Sequence, residues 1–243
     1  MKIRRQTEWH IPIYLITYAV TNNLNYELQL YMYLKCSSYG IVKLNKELIS
    51  DCSIALQVTP KTIKSRIKKL VEMGWVAKFK TTQHMQIRSF DKVCKIHELY
   101  SRISSVFCVD YVGDFNSYIG AAVYTHFYLA SKKRNQRRDA ANMDTALAPA
   151  PGFLYGYPVA INGVAQCLKI SISKSARMKT AAAKSGFIKV TSNNTELVLN
   201  ASFKNFVSKG SINSQAFFPI NETLFHKNPD LIVSKLRKSY RRR

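Results

Sequence analysis

The chain has 243 residues, of which 47% are hydrophobic and 12% aromatic, a composition typical of a folded protein rather than a disordered tail. Lysine and arginine number 37 against 14 aspartate and glutamate, so the formal net charge is +23. Such an excess attracts polyanions, most often nucleic acid, and less often an anionic membrane surface or an acidic protein.

No catalytic or metal-binding motif stands out. The five cysteines form no CxxC pair, no histidine lies at a zinc-finger spacing from them, and HExxH, GxSxG, Walker-type and GxGxxG patterns are missing. We therefore expect a non-enzymatic protein with no catalytic residue, no metal and no cofactor. The 14 tyrosines leave a tyrosine nucleophile open as an alternative.

No segment has the features of a targeting signal. The apolar run from Ile11 to Val20 lacks a small-residue cleavage site and is too short to cross a bilayer. We expect a cytoplasmic protein with no membrane partner.

The first helical pattern begins at Tyr26 and ends at the turn residues around Gly40. A short extended segment, 41–44, leads into a second helix over 45–56. A tight turn at 57–58 follows it.

The third helix is the best-specified element of the sequence. Thr59 is a good N-cap, and Pro60 suits the first helical position, where its missing N–H costs nothing. The apolar residues of this helix fall on one face: Ile63, Ile67, Leu70 and Val71. Gly74 is a plausible stop. Residues 75–80 and 85–88 then alternate as strands do, which predicts a hairpin.

The middle of the chain is less regular. Residues 90–111 are compatible with helix or strand, whereas 114–140 predict a long helix that ends in the basic run 131–138. Residues 142–158 are rich in Pro, Gly and Ala, which indicates a linker.

The third quarter repeats the order of the first. Residues 161–168 predict a short helix, and Ser173 is the N-cap candidate of the next one. Residues 187–190 and 196–199 predict a second hairpin across a polar turn. Beyond residue 201 the pattern predicts no definite element.

The segment from Leu44 to Arg88 resembles the winged helix-turn-helix family. The residues that carry this resemblance are Val58-Thr59-Pro60 at the helix start, Ile63, Ile67 and Leu70 on its inner face, and Gly74-Trp75-Val76 at the start of the wing. Residues 161–199 resemble the family more loosely, through Ser173–Lys179 and Gly186-Phe187-Ile188.

The second resemblance departs from the pattern on its inner face. Aligning Gly74 with Gly186 places Ser175, Lys179 and Ala182 at the positions of the inner apolar triplet. These residues cannot form an equal core, so a shifted register that uses Met178 stays open.

The resemblance implies an α+β fold, mostly helical, with two winged-helix domains joined by a helical segment and a linker. The implied domains are 1–90 (N-terminal winged helix), 91–141 (helical connecting segment), 142–158 (linker), 159–200 (second winged helix) and 201–243 (basic C-terminal extension).

In helix-turn-helix proteins the N-terminal part of the recognition helix meets base edges in the major groove. The candidate base contacts are Lys61, Thr62, Lys64 and Ser65, and the candidate phosphate contacts are Lys68 and Lys69. The wing offers Lys78, Lys80, His84 and Arg88, and the second unit offers Lys174, Arg177 and Lys179.

These lysines have a simpler explanation, as the solvated face of an amphipathic helix. Against it, Glu72 is the only acidic residue between Asp51 and Asp91, so the usual salt-bridge partners are missing. The basic clusters at 132–138 and 241–243 indicate electrostatic contact without sequence reading.

The expected partner is double-stranded DNA, bound by a transcriptional regulator that occupies an operator, usually as a homodimer. One alternative is a replication initiator of plasmid or phage type, because two winged helices around a linker are that family's layout. This chain resembles such initiators in architecture and charge only. Another alternative is a non-specific basic nucleic-acid-binding protein.

Overall fold

The structure is a computed structural model that describes residues 8–38, 40–79, 82–100, 103–141, 156–197, 217–220 and 223–240. Its helices are α1 (Ile13–Thr21), α2 (Asn25–Ser37), α3 (Lys46–Leu56), α4 (Pro60–Glu72), α5 (Phe90–Ile96), α6 (Phe115–Ala141), α7 (Ile161–Leu168) and α8 (Ile172–Lys184). Its strands are β1 (Glu8–Pro12), β2 (Ile41–Lys43), β3 (Val76–Lys78), β4 (His84–Ile87), β5 (Ile103–Cys108), β6 (Tyr157–Pro158), β7 (Ile188–Thr191), β8 (Asn194–Leu197), β9 (Phe217–Ile220), β10 (Thr223–Lys227), β11 (Leu231–Ser234) and β12 (Lys238–Tyr240).

The chain is a mostly helical α+β protein with small antiparallel sheets, which confirms this part of the predicted fold class. The described residues form four three-stranded sheets, with the orders β2-β4-β3, β6-β11-β7, β1-β5-β12 and β8-β10-β9. Within the described ranges no helix is both long enough and apolar enough to cross a membrane.

Local signals position the first unit, β2-α3-α4-β3-β4, as predicted. The Asn45 side chain accepts a hydrogen bond from the Leu48 N–H (2.9 Å), and the Thr59 hydroxyl accepts one from the Thr62 N–H (3.3 Å). These bonds satisfy N–H groups that a helix start leaves free. β3 and β4 form the predicted hairpin, and β2 pairs with the other edge of β4.

Gly74 ends α4 in a conformation that only glycine adopts without strain. Its φ is +70°, and the following Trp75 N–H returns to the Leu70 carbonyl (2.9 Å). This turn directs the fully buried Trp75 ring into the core, where its indole N–H donates to Nε2 of His97 (2.9 Å).

In the second unit, β6-α7-α8-β7-β11, helix α8 and strand β7 repeat α4 and β3 at an offset of 112 residues (172 − 60 and 184 − 72 for the two ends of α8 and α4), whereas β6 and β11 do not keep this offset from β2 and β4. Gln57 and Lys169, which end α3 and α7, both have left-handed backbones, with φ of 52° and 51°. Gly186 matches Gly74 with φ of +73°. The alignment of the two glycines made on sequence is therefore confirmed for these helices.

The predicted second hairpin is wrong. β7 pairs with β11, so that Val190 lies opposite the buried Ile232, whereas β8 pairs with β10. The polar residues 192–194 are compatible both with a hairpin, in which β8 pairs with β7, and with a connection after which β8 pairs with another strand. The choice depends on a partner about 40 residues later, which short-range turn chemistry does not encode.

Three further boundaries differ from the sequence predictions. The predicted C-terminal extension contributes β11 to the second unit and β12 to the sheet with β5. β6 lies inside the predicted linker, of which 142–155 fall outside the described residues. The N-cap of α8 is Ser171, not Ser173, since its hydroxyl accepts from the Lys174 N–H (3.1 Å).

The two units share one hydrophobic core. α6 packs against α8, α1, α2 and β11, and its buried residues join a cluster that also contains the inner face of α4. At the crossing of α6 and α8, the Tyr124 hydroxyl hydrogen bonds to the Ser175 hydroxyl (2.8 Å). The units are therefore parts of one packed body within the described ranges.

Candidate nucleic-acid interface

α4 presents two chemically distinct faces. Its inner face consists of Ile63, Ile67 and Leu70, all buried against the core with α2 and α3. Burying such side chains stabilises the fold by roughly 1.5–3 kcal/mol each, which fixes the orientation of the helix. The opposite face is consequently held toward solvent.

The outer face carries most of the predicted base contacts. Lys61, Lys64 and Ser65 are exposed, and Thr62 is half-buried with its hydroxyl 2.9 Å from that of Thr59. Among the described residues no acid forms an ion pair with Lys61 or Lys64. Within the described residues, no ion pair therefore competes with an external partner for these ammonium groups.

The two predicted phosphate contacts on α4 differ from each other. Lys68 is exposed and lies 3.8 Å from Glu72, an i,i+4 pair that contributes little in solvent. Lys69 instead forms a 3.0 Å ion pair with the largely buried Glu27 of α2. The structure thus assigns Lys69 to holding α4 against α2 rather than to the open face.

A second contact between these helices was not predicted. The guanidinium of Arg66 lies 4.8 Å from the centre of the Tyr26 ring, a cation–π geometry. The sequence signal was weak, because Arg66 lies between the inner and outer faces and its partner is in another helix. Together with Lys69, it fixes α4 laterally on α2.

The hairpin β3-β4 carries the predicted wing residues. Lys78 and His84 are exposed, and Lys80 lies outside the described residues. Lys43 of β2, which the sequence predictions omitted, is also exposed and pairs in register with His84. Its position in an alternating strand was the available signal.

Arg88 is not presented to an external partner. Its guanidinium donates to the Gly74 carbonyl (2.8 Å), and its own carbonyl accepts from the Tyr31 hydroxyl (2.7 Å) and the Lys35 ammonium (3.1 Å). Lys35 is itself enclosed by aromatic rings, and burial lowers its pKa. Arg88 therefore joins the wing to α2 and to the end of α4.

The basic residues predicted on α8 are mostly turned inward. Lys174 donates to the Val20 carbonyl (2.9 Å) and to the Asn23 side chain (2.7 Å), and its pKa is lowered by burial and further by Arg177. Lys179 is 9% exposed and forms an ion pair with Asp230. Of the three candidates only Arg177 is exposed.

The inner face of α8 explains this difference. Ser175, Lys179 and Ala182 are buried at the positions predicted from the glycine alignment, and Met178 is buried beside them. Small side chains let α6 approach closely, and the Lys179 charge is neutralised by an acid that immediately precedes β11. The second unit keeps the backbone plan of the first but not its exposed lysines.

Comparison with known proteins adds no relative to this arrangement: no family model matches the chain, and no significant match exists among the curated proteins or the solved structures.

Proposed function

We propose that the chain binds double-stranded DNA sequence-specifically through α4 and acts as a transcriptional regulator. The observation that carries this proposal is the two-faced α4, which is buried through its apolar triplet and exposes Lys61 and Lys64, neither in an ion pair with any described residue. It follows a tight turn after α3 and precedes an antiparallel hairpin, as expected of a winged helix.

In this proposal the start of α4 enters the major groove. Lys61, Lys64 and Ser65 contact base edges, since a helix of this width fits the groove and each base pair there offers a distinct pattern. Lys68, Lys78 and His84 are placed to contact the flanking phosphates.

A replication initiator with two winged helices is the second candidate, and the internal repeat favours it. The strands that lead into the two units, β1 and β5, pair antiparallel over Glu8↔Cys108 to Pro12↔Ser104. One chain thus contains two similar units and can address two adjacent sites without a second copy. An operator-binding regulator more often needs a dimer for that purpose.

Selection from random duplex DNA at two salt concentrations tests the proposal. We expect an enriched motif whose binding weakens with salt but stays specific at both concentrations. Binding that enriches no motif and is lost uniformly with salt contradicts sequence reading and indicates a non-specific basic binder. A footprint over tandem repeats with local duplex opening favours the initiator, whereas one symmetric site favours the regulator.

The variant Lys61→Ala/Lys64→Ala tests the reading helix itself. We expect a loss of about 1–3 kcal/mol of specific binding per base contact with an unchanged thermal midpoint, because both side chains are exposed. The matched control is Lys92→Ala/Lys95→Ala, which removes two exposed lysines from α5. An unchanged footprint for the first variant, or an equal loss for both, contradicts α4 as the reading helix.

A further inference from the structure

The distal half of α6 (residues 126–141) extends beyond the core that α6 helps to form. The buried residues of α6 run from Phe115 to Thr125, whereas every residue from His126 to Arg137 is half-buried or exposed. At 1.5 Å per residue this half is about 24 Å long. Phe127 and Tyr128 still pack against the core, but packing in the described core does not account for the helix beyond residue 128.

Three exposed cations lie on one side of this segment. Lys133, Arg134 and Arg137 fall within an arc of about 100° at 3.6 residues per turn, and span about 6 Å along the axis. We refer to them as the basic strip. No ion pair among the described residues involves any of the three.

The helix dipole does not explain the basic strip. Cations stabilise a helix C-terminus only within its last turn, which in α6 begins at about residue 138. Lys133 and Arg134 lie four to five residues, a little more than one turn, before that point. Like charges at i,i+4, such as Lys133 and Arg137, are instead mildly destabilising in isolation, which indicates that another requirement places them there.

The outer face of α8 does not carry the lysines that the outer face of α4 carries. At the offset of 112 residues between α4 and α8, Ala176 and Thr180 stand where α4 has Lys64 and Lys68, and Lys174 and Lys179 are engaged internally. The exposed cations of α8, Arg177 and Lys184, are seven residues apart, so the closely spaced free cations lie on α6, which packs against α8.

We propose that the basic strip is a second DNA-binding site, which contacts the phosphate backbone of duplex DNA beside the site read by α4. This inference rests on the proposed DNA binding. Two of its three residues are arginines, whose planar guanidinium groups bind phosphate oxygens bidentately. An exposed helix without apolar residues between the cations is suited to contacting the phosphate backbone of DNA without reading its bases.

The test compares Lys133→Gln/Arg134→Gln/Arg137→Gln with the matched control Lys92→Gln/Lys95→Gln/Lys184→Gln, which removes the same charge from exposed lysines of α5 and α8. Glutamine is a good helix former, and circular dichroism checks that α6 persists. Two duplexes carry the selected motif, one trimmed to the α4 footprint and one with a further helical turn, about 10 bp, on each side.

On the long duplex we expect the basic-strip variant to lose about tenfold or more in affinity, and its log–log salt slope to become shallower by about 3, since each phosphate contact contributes about 0.9. On the trimmed duplex we expect wild-type affinity, and the selected motif stays the same. The control variant keeps the wild-type salt slope on both.

Two outcomes overturn the inference while leaving the proposed function intact: wild-type behaviour of the basic-strip variant on the long duplex, or an equal loss in the control variant, which indicates net charge alone. If the wild-type protein binds no duplex, the proposed function and this inference fail together.

Discussion

The carbonyl oxygen of Met178 lies 2.5 Å from the position that a Cβ atom on Gly120 would occupy. Gly120 is in α6 and Met178 is in α8, so the backbones of the two helices are in direct contact at this point. The contact sets how closely the second unit approaches the central helix.

Gly120→Ala is expected to destabilise the protein by about 1–3 kcal/mol, because the methyl group meets backbone that can move only if the helices separate. This net loss already includes the gain of about 1 kcal/mol that alanine brings to a helix interior. Urea unfolding measures the effect.

The control for this substitution is Gly113→Ala. Gly113 has a right-handed helical backbone, and nothing lies within 4 Å of an added Cβ. We expect unchanged or slightly increased stability. A Gly120→Ala protein as stable as the control contradicts the close α6–α8 contact.

Lys69 and Lys64 lie on the same helix but are expected to respond oppositely to alanine substitution. Lys69→Ala leaves the largely buried Glu27 carboxylate without its partner and is expected to cost about 1 kcal/mol, discounted because Lys69 itself is 45% exposed. Lys64→Ala is expected to change stability by less than about 0.5 kcal/mol but to weaken specific DNA binding.

Urea unfolding and DNA titration of both single variants check this separation. The double variant Lys69→Ala/Glu27→Gln isolates the pair, since removing both charges is expected to restore part of the loss. Equal stability of the two single variants contradicts a structural role for Lys69.

The same pair shows what the sequence could predict and what it could not. The Thr59-Pro60 start, the spacing of the apolar triplet and the stop at Gly74 are local signals, and their combination placed α4. The partner of Lys69 lies 42 residues earlier in the chain, and only the folded packing of α2 against α4 brings the two together.

The pairing of β7 and the inward orientation of Lys174 were not predicted, for the same physical reason. Helices α7 and α8 follow from local periodicity, but the partner of β7 is chosen across a 40-residue insertion, and the inward turn of Lys174 depends on α1. The exposure of the candidate side chains was therefore predicted correctly where it follows helix phase, as for Lys61 and Lys64. It was not predicted where a lysine or arginine finds a distant acceptor, as for Arg88.

The ion pair of Lys179 with Asp230 is expected to stabilise the second unit. Lys179→Met leaves a carboxylate whose side chain is only 20% exposed, at a cost of about 2–3 kcal/mol. Lys184→Met, which removes an exposed lysine of the same helix, is the matched control.

The double variant Lys179→Met/Asp230→Asn should recover most of that loss, because no buried charge remains. Thermal and urea unfolding measure all three proteins. A Lys179→Met protein as stable as the Lys184→Met control would mean that the ion pair contributes nothing.

A buried amine makes stability depend on pH through the C-terminal strand. Burial lowers the pKa of Lys238 from 10.5 to about 7, and within the described residues its ammonium has no hydrogen-bond partner. The folded state therefore favours the neutral amine. The pKa of the nearby His126 is lowered to about 4, by burial first and by Lys238 second.

The sign of the effect follows from proton binding. Between pH 7 and pH 10.5 the unfolded chain holds a proton on Lys238 that the folded chain does not, so stability falls as pH is lowered through this range, with a limiting slope of about 1.4 kcal/mol per pH unit.

Lys238→Met removes this contribution, while other titrating groups remain in both proteins. The difference in unfolding free energy between variant and wild type is therefore expected to grow as pH falls from 10 to 7 and to level off below 7. The matched control is Lys235→Met, which removes one lysine charge at an exposed position. A pH-independent difference for Lys238→Met would mean that the Lys238 amine of the wild-type protein stays protonated in the folded state, and that the fold accommodates it as a charged group.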